Sequence, residues 1–329
     1  MRLKPLLRRW LMGETHKTKS SQDSELQPPK GGKVMLRMTM ARMRRSELPK
    51  TASLRFQRGV LLTGVLFCCL SLPAKAEDTL EKIQRTGVLN VAIREDAAPF
   101  GYLDANGNLK GYCLDFFALL EEKSIEYLNR NSLSIKLFKS ISSNRFDLVA
   151  TDLVDLECGP NTIRSDVPEN IDFSTSFFIT GTQFLVKKNN SAKIDRDSEN
   201  LVLGVIDNTT TEQFLARRYP LATVQKYRGA TARSRGVQAV AHGQIDAMAS
   251  DGILLIAEAQ RQQLSAAKYV LEPEIPLTCD RYGMIIRSND PQWQDFINSV
   301  IDSPEAKALS NAWFGQILPP TQSLSELCK

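Results

Sequence analysis

Residues 91–116 read VAIREDAAPFGYLDANGNLKGYCLDF, and they decide the fold class. Their first residues complete the alternating, β-branched run VLNVAI at 88–93, the pattern of a strand. Asp104-Ala105-Asn106-Gly107 is turn chemistry, so a second short extended piece ends at Gly111. From 115 to 128 (DFFALLEEKSIEYL) apolar residues recur at helical spacing, which predicts a helix. Upstream, residues 79–83 read as a short amphipathic turn that Gly87 breaks.

Working outward, strand and helix patterns alternate. Residues 134–138 read as a strand, 146–153 as an extended piece or the end of a short helix, and 172–186 as mostly extended. Gly181 allows a bend or crossing there. A second series follows, with strands at 201–206, 224–227, 247–250, 269–271 and 284–286. Its helices fall at 233–241 and 252–261, with another starting near Thr211 behind Asn208-Thr209-Thr210. Residues 291–314 close the chain as one or two helices. Strands alternating with helices twice over predict two α/β lobes.

Charge is unevenly placed along the 329 residues. Residues 1–76 hold 16 Lys+Arg against 4 Asp+Glu, whereas the remainder holds 26 against 33. The formal net charge of +5 is therefore a property of the leader, and a nucleic-acid partner is not expected. Within the leader, residues 59–73 (GVLLTGVLFCCLSLP) form a short apolar run between Arg55/Arg58 and Ala74-Lys75-Ala76. A basic flank, a short apolar core and an A-x-A end describe a secretory signal peptide at 59–76, with Glu77 as the mature N-terminus. Residues 1–58 read as a basic extension, either disordered or lying ahead of the true start codon. Met35, Met38, Met40 and Met43 are candidate starts.

Cleavage after Ala76 leaves Cys113, Cys158, Cys279 and Cys328, and four cysteines in an exported chain allow three connectivities. Pairing Cys279 with Cys328 is favoured because it would tie down a penultimate residue. Cys113 and Cys158 are then a bridge or two buried thiols, and the residues leave that open. With no C-x-x-C and with His242 as the one histidine after residue 76, neither a metal nor any other cofactor is expected.

Several short motifs in order now resemble one family. Residues 91–116, Asn208-Thr209-Thr210, Gly243-Gln244-Ile245-Asp246-Ala247 and Asn311-Ala312-Trp313-Phe314-Gly315 look like the extracellular solute-binding proteins of family 3. Arg94 in I-R-E-D, Ser142-Ser143-Asn144-Arg145 and Asp155-Leu156-Glu157-Cys158-Gly159 resemble the glutamate/aspartate binders within it. Cys279 and Cys328 also sit where the related ligand domains of ionotropic glutamate receptors carry a disulfide. The resemblance implies an α/β, two-lobed clamshell of the type II periplasmic-binding class with two hinge-crossing strands. Lobe 1 would be 79–181 plus 282–329, and lobe 2 would be 182–281.

Carried over residue by residue, the resemblance implies a cleft for a zwitterion. Arg164 in Asn161-Thr162-Ile163-Arg164 would hold the α-carboxylate from the first turn of a helix capped by Asn161. Thr209 and Thr210 would close on the same carboxylate, and Asp251 would receive the α-ammonium. Arg94 and Arg145 match positions that hold an acidic side chain, Ser142 would add a hydroxyl, and Arg233 falls where those binders carry a histidine. For Arg94 the plain alternative is an ion pair with Glu95 or Asp96. Phe100 and Tyr102 are either an apolar wall or core. Two departures stand out: Pro160 replaces a small hydroxyl residue, and Asn208 replaces a glycine.

The expected function is periplasmic capture of a polar L-amino acid, glutamate or aspartate or their amides, by a monomer that delivers it to an ABC-transporter permease. An enzyme on the same scaffold, such as a cyclohexadienyl dehydratase, is the alternative; it needs a general acid or base, and after residue 76 only His242 offers an imidazole. A receptor module would need a membrane segment and an output domain.

Overall fold

The alternating run at 88–93 forms an interior strand of a sheet. In a computed structural model, which describes residues 77–194, 200–315 and 328, α1 (Thr79–Thr86) leads into β1 (Val88–Arg94). The short strands β2 (Asp96–Ala97), β3 (Gly101–Leu103) and β4 (Leu109–Lys110) form their own small sheet. Next come α2 (Tyr112–Tyr127), β5 (Ser134–Ser140), α3 (Arg145–Ala150), β6 (Leu156–Cys158), β7 (Ile171–Phe173) and β8 (Phe178–Thr180). The second series is β9 (Thr182–Lys187), β10 (Val202–Ile206), α4 (Thr210–Arg218), β11 (Thr223–Tyr227), α5 (Ala232–His242), β12 (Ala247–Asp251), α6 (Gly252–Arg261) and β13 (Tyr269–Glu272). Finally β14 (Asp280–Tyr282) and β15 (Ile285–Arg287) precede α7 (Pro291–Ile301) and α8 (Pro304–Phe314). The expectations for residues 1–58 and 59–76 lie outside the described residues. No described helix is long and apolar enough to cross a membrane.

Two five-stranded sheets carry the two lobes, and they repeat one plan. The first has the order β5-β1-β6-β15-β7, with β1 parallel to β5 and β6 and β15 antiparallel to β6 and β7. The second has the order β11-β10-β12-β9-β13, with β10 parallel to β11 and β12 and β9 antiparallel to β12 and β13. Each sheet is covered on both faces. Leu89, Val91 and Ile93 of β1 pack with α2 and α7, while Ala92 points to the opposite cluster with Val149 and Ile285. That alternation is the period-2 signal legible in VLNVAI.

The chain leaves the first sheet after β7 and returns to it at β15, and the strands on the two crossings, β8 and β14, pair antiparallel with each other. The approach at Gly181 is so close that a Cβ there would lie 1.9 Å from the Thr278 carbonyl oxygen. Only glycine fits such a contact.

Three sequence expectations are refined. Residues 146–153 fall in and just after α3, and α2 begins at Tyr112, three residues ahead of Asp115. No helix follows Asn161. Instead Thr162 bridges Tyr282, the Ile163 N–H donates to the Arg281 carbonyl (2.8 Å), and Asn161 accepts from the Gly283 N–H (3.0 Å). The segment is thus held extended along β14, and Pro168 further disfavours a helix through Val167. Both cysteine pairs are bridged: Cys113–Cys158 joins α2 to β6, and Cys279 joins Cys328, with Cα–Cα distances of 5.7 and 5.5 Å.

Candidate functional site

Parallel strands in both sheets end on one hollow, and open α/β sheets place their ligands at such carboxyl ends. Arg94 ends β1 and Pro160 follows β6 in the first lobe. Ile206 ends β10, and Ser250 and Asp251 end β12, in the second. Together with Arg145, Thr162, Arg164, Arg233, Leu254 and the Thr209–Thr211 turn, they line about 440 Å³ of space, solvent at its mouth included.

In the first lobe the guanidiniums are differently satisfied. Arg94 donates to Asp96 through Nε (2.8 Å to Oδ1) and Nη2 (3.0 Å to Oδ2), with both side chains nearly fully buried. Gly159 makes room for it, since a Cβ there would lie 2.9 Å from Arg94 Cγ. Burial opposes the Arg94 charge, but Asp96 outweighs it and holds the group above its ordinary value. Arg145 opens α3 and is 5% exposed, yet its Nε has no partner. Burial, and then the neighbouring Arg94 charge, lower it to about 10, so it is still a cation at neutral pH. Phe146 is a shared platform, with the Arg145 and Arg164 guanidiniums 4.9 and 5.4 Å from its ring centre. Glu157, fully buried beneath, accepts from the Ser140 hydroxyl (2.6 Å) and the Asn161 amide (2.5 Å) rather than from an arginine.

The second lobe supplies donors and one acid. Thr209 caps α4 by accepting from the Glu212 N–H (3.2 Å), and Glu212 accepts from the Asn208 N–H (2.6 Å). Asn208 has φ 62°, a left-handed conformation that glycine and asparagine both tolerate, so asparagine fits a position where the sequence resemblance implies glycine. Across the cleft the Thr210 and Thr162 hydroxyls are 3.4 Å apart, and Gln213 donates to Asp166 (3.1 Å). Arg233, on α5 and 3% exposed, donates to the Ser250 hydroxyl (2.6 Å) while its Nε has no partner. Burial lowers its affinity for its proton. Asp251 accepts from the Tyr282 hydroxyl through Oδ2, and its buried Oδ1 is unpartnered. Burial, aided by the Asp280 charge, pushes Asp251 up to about 7.

Among the described residues, five buried side-chain atoms have no hydrogen-bond partner, and three belong to this lining: Arg145 Nε, Arg233 Nε and Asp251 Oδ1. Buried polar groups are nearly always satisfied, so these three are the lining atoms with hydrogen-bonding capacity left over.

The hollow thus brings together Arg94, Arg145, Thr162, Arg164, Thr209, Thr210, Arg233 and Asp251. Phe100 is instead core, fully buried with ring centres 5.3 Å from Phe178, 5.4 Å from Tyr282 and 5.2 Å from Phe314. Tyr102 lies under the Arg261 guanidinium at 4.9 Å and is outside the lining. Ser142 and Asn161 are buried behind the lining, and Asn161 is no helix cap. Asp96, Phe146, Glu157 and Tyr282 support the site without having been singled out as part of it. His242 is exposed at the end of α5. Among the described residues, no cluster of His, Cys, Asp or Glu is suited to a metal.

The model of the bacterial extracellular solute-binding proteins, family 3, matches residues 89–316. The chain belongs to that family. This solute-binding protein is 30% identical over 277 residues to the glutamate/aspartate import solute-binding protein of Salmonella typhimurium, covering 79% of this chain and 90% of that one. It is 26% identical over 276 residues to the L-glutamate/L-aspartate-binding protein of Pseudomonas aeruginosa, covering 81% and 91%. Among solved structures, an ancestral amino acid-binding protein described as a precursor of cyclohexadienyl dehydratase shares the fold of this solute-binding protein at TM-score 0.62 and 21% identity, over 74% of this chain and all of that one. The cysteine-binding protein of Campylobacter jejuni does so at TM-score 0.62 and 20% identity, over 75% and 97%.

Proposed function

We propose that this solute-binding protein captures an amino acid with an acidic side chain, glutamate or aspartate, for import. The observation that carries this reading is the trio of unsatisfied buried atoms, two cationic and one anionic, on one hollow. Asp251 Oδ1 suits an α-ammonium, and Arg164 with the free N–H groups at the start of α4 suits an α-carboxylate. Arg94 is already paired with Asp96, so Arg145 and Arg233 are left to receive a second carboxylate, one from each lobe. Neutral or basic side chains would leave those two cations buried and unpaired, a cost that gives selectivity. The glutamate/aspartate specificity of the 30%-identical Salmonella relative supports the same reading.

Delivery to an ABC permease, action as a monomer and residence in the periplasm belong to the same proposal. They draw on the family and on the secretory pattern at residues 59–76. N-terminal sequencing of the exported protein tests the last, with Glu77 expected and an intact leader contradicting it. A thermal-shift screen against the twenty amino acids tests the ligand class. Glutamate and aspartate are expected to raise Tm most, and a larger shift with arginine or lysine would overturn the assignment.

A further inference from the structure

The two oxygens of Asp251 differ: Oδ2 accepts from the Tyr282 hydroxyl, and Oδ1 is buried, unpartnered and part of a side chain lining the hollow. Tyr282 is fully buried, lies outside the lining and sits on crossing strand β14. Its backbone bridges Thr162, and its neighbours Arg281 and Gly283 bond the Ile163 and Asn161 main chain. One residue therefore touches both halves of the zwitterion site, Asp251 by its side chain and the Thr162–Arg164 segment by its backbone.

We propose that Tyr282 is the positioning residue for α-amino recognition, holding Asp251 by one oxygen so that the other stays available to the ammonium. The proposal rests on reading Asp251 as the ammonium acceptor. A neutral donor is what the task requires. A lysine or arginine partner would cancel the charge that attracts an ammonium, whereas a phenol orients the carboxylate and leaves the charge in place. Burial, with Asp251 beside it, holds the Tyr282 phenol well above its ordinary range, so it stays a donor at physiological pH. The other groups acting on Asp251 do not replace it. Asp280, which accepts from Thr278, repels the Asp251 charge, and Arg233 is hydrogen-bonded to Ser250.

Y282F removes the hydroxyl and keeps the ring. Calorimetry on the full protein with L-glutamate and with glutarate, which lacks the amine, separates positioning from structure. Expected is a loss of glutamate affinity of about tenfold to a hundredfold with glutarate affinity unchanged, and no further loss of glutamate affinity when Y282F is added to D251N. Equal losses for both ligands would overturn the proposal. A ligand-free readout keeps it falsifiable even if the wild type binds neither compound, an outcome that would sink the acidic-ligand reading alone. In protein carrying 13C-labelled aspartate, with D251N assigning the signal, Y282F is expected to raise the Asp251 midpoint by about one pH unit or more. An unmoved midpoint would contradict the role.

Discussion

Arg94 and Asp96 are two residues apart in sequence and form a two-fold hydrogen-bonded ion pair, 2.8 and 3.0 Å, with 3% and 4% of their side chains exposed. The pair spends most of one cavity guanidinium on the protein itself. Removing one partner of such a pair leaves an uncompensated buried charge, a loss of about 3–5 kcal/mol. D96N is therefore expected to lower Tm, and to gain more Tm from L-glutamate than the wild type does, because Arg94 becomes a third free cation. Melting curves with and without glutamate check both parts.

Arg145 and Arg233 are the converse case, cations buried without a carboxylate of their own bonded to them. On the proposed reading they weaken the empty protein and reward an acidic guest. R145M and R233M are each expected to raise the Tm of the ligand-free protein while lowering glutamate affinity about tenfold or more, with glutamine affected less. The glutamate-to-glutamine affinity ratio, from calorimetry on each variant, is the diagnostic number.

On the proposed reading Asp251 makes binding sensitive to acid. Its carboxyl is pushed up to about 7, and only the ionised form pairs with an ammonium. Glutamate affinity is expected to level off above that pH and to fall by up to about tenfold per unit below it. The stability contribution runs the opposite way. The folded-state value exceeds the unfolded one of about 3.9, so the folded protein binds the extra proton and this contribution fades as pH rises from about 4 towards 7. Calorimetry between pH 5 and 8 checks the affinity slope, roughly the span that brackets the titration, and D251N is expected to flatten it.

The crossing at Gly181 has no room for a methyl group, with a Cβ position 1.9 Å from the Thr278 carbonyl oxygen. G181A is expected to force β9 and the 276–278 segment apart, lowering stability by about 1–3 kcal/mol. Denaturant unfolding of the variant measures that loss.

Local signals carried most of the fold. The alternation in VLNVAI and the pattern at 201–206 predict the interior strands β1 and β10, and Asp251 is legible as a carboxylate ending an apolar strand. Where distant pairing decides, the sequence pattern misled. Asn161-x-x-Arg164 looks like a helix start, but β14, more than a hundred residues later, holds it extended. Phe100 beside Pro99 reads equally as wall or core, and only its contacts with Phe178, Tyr282 and Phe314 decide for core. Tyr282 and Phe146 carried no motif, since their roles come from what the fold sets beside them. The Cys113–Cys158 bridge stayed open for the same reason: spacing says nothing of α2 meeting β6.

Titrating the purified protein with L-glutamate, L-aspartate, L-glutamine and L-arginine in a calorimeter addresses the central claim most directly. Saturable one-to-one binding of an acidic amino acid, abolished or strongly weakened in both R233M and D251N, is the predicted result. Tight binding of L-arginine, with glutamate and aspartate silent, would contradict the account.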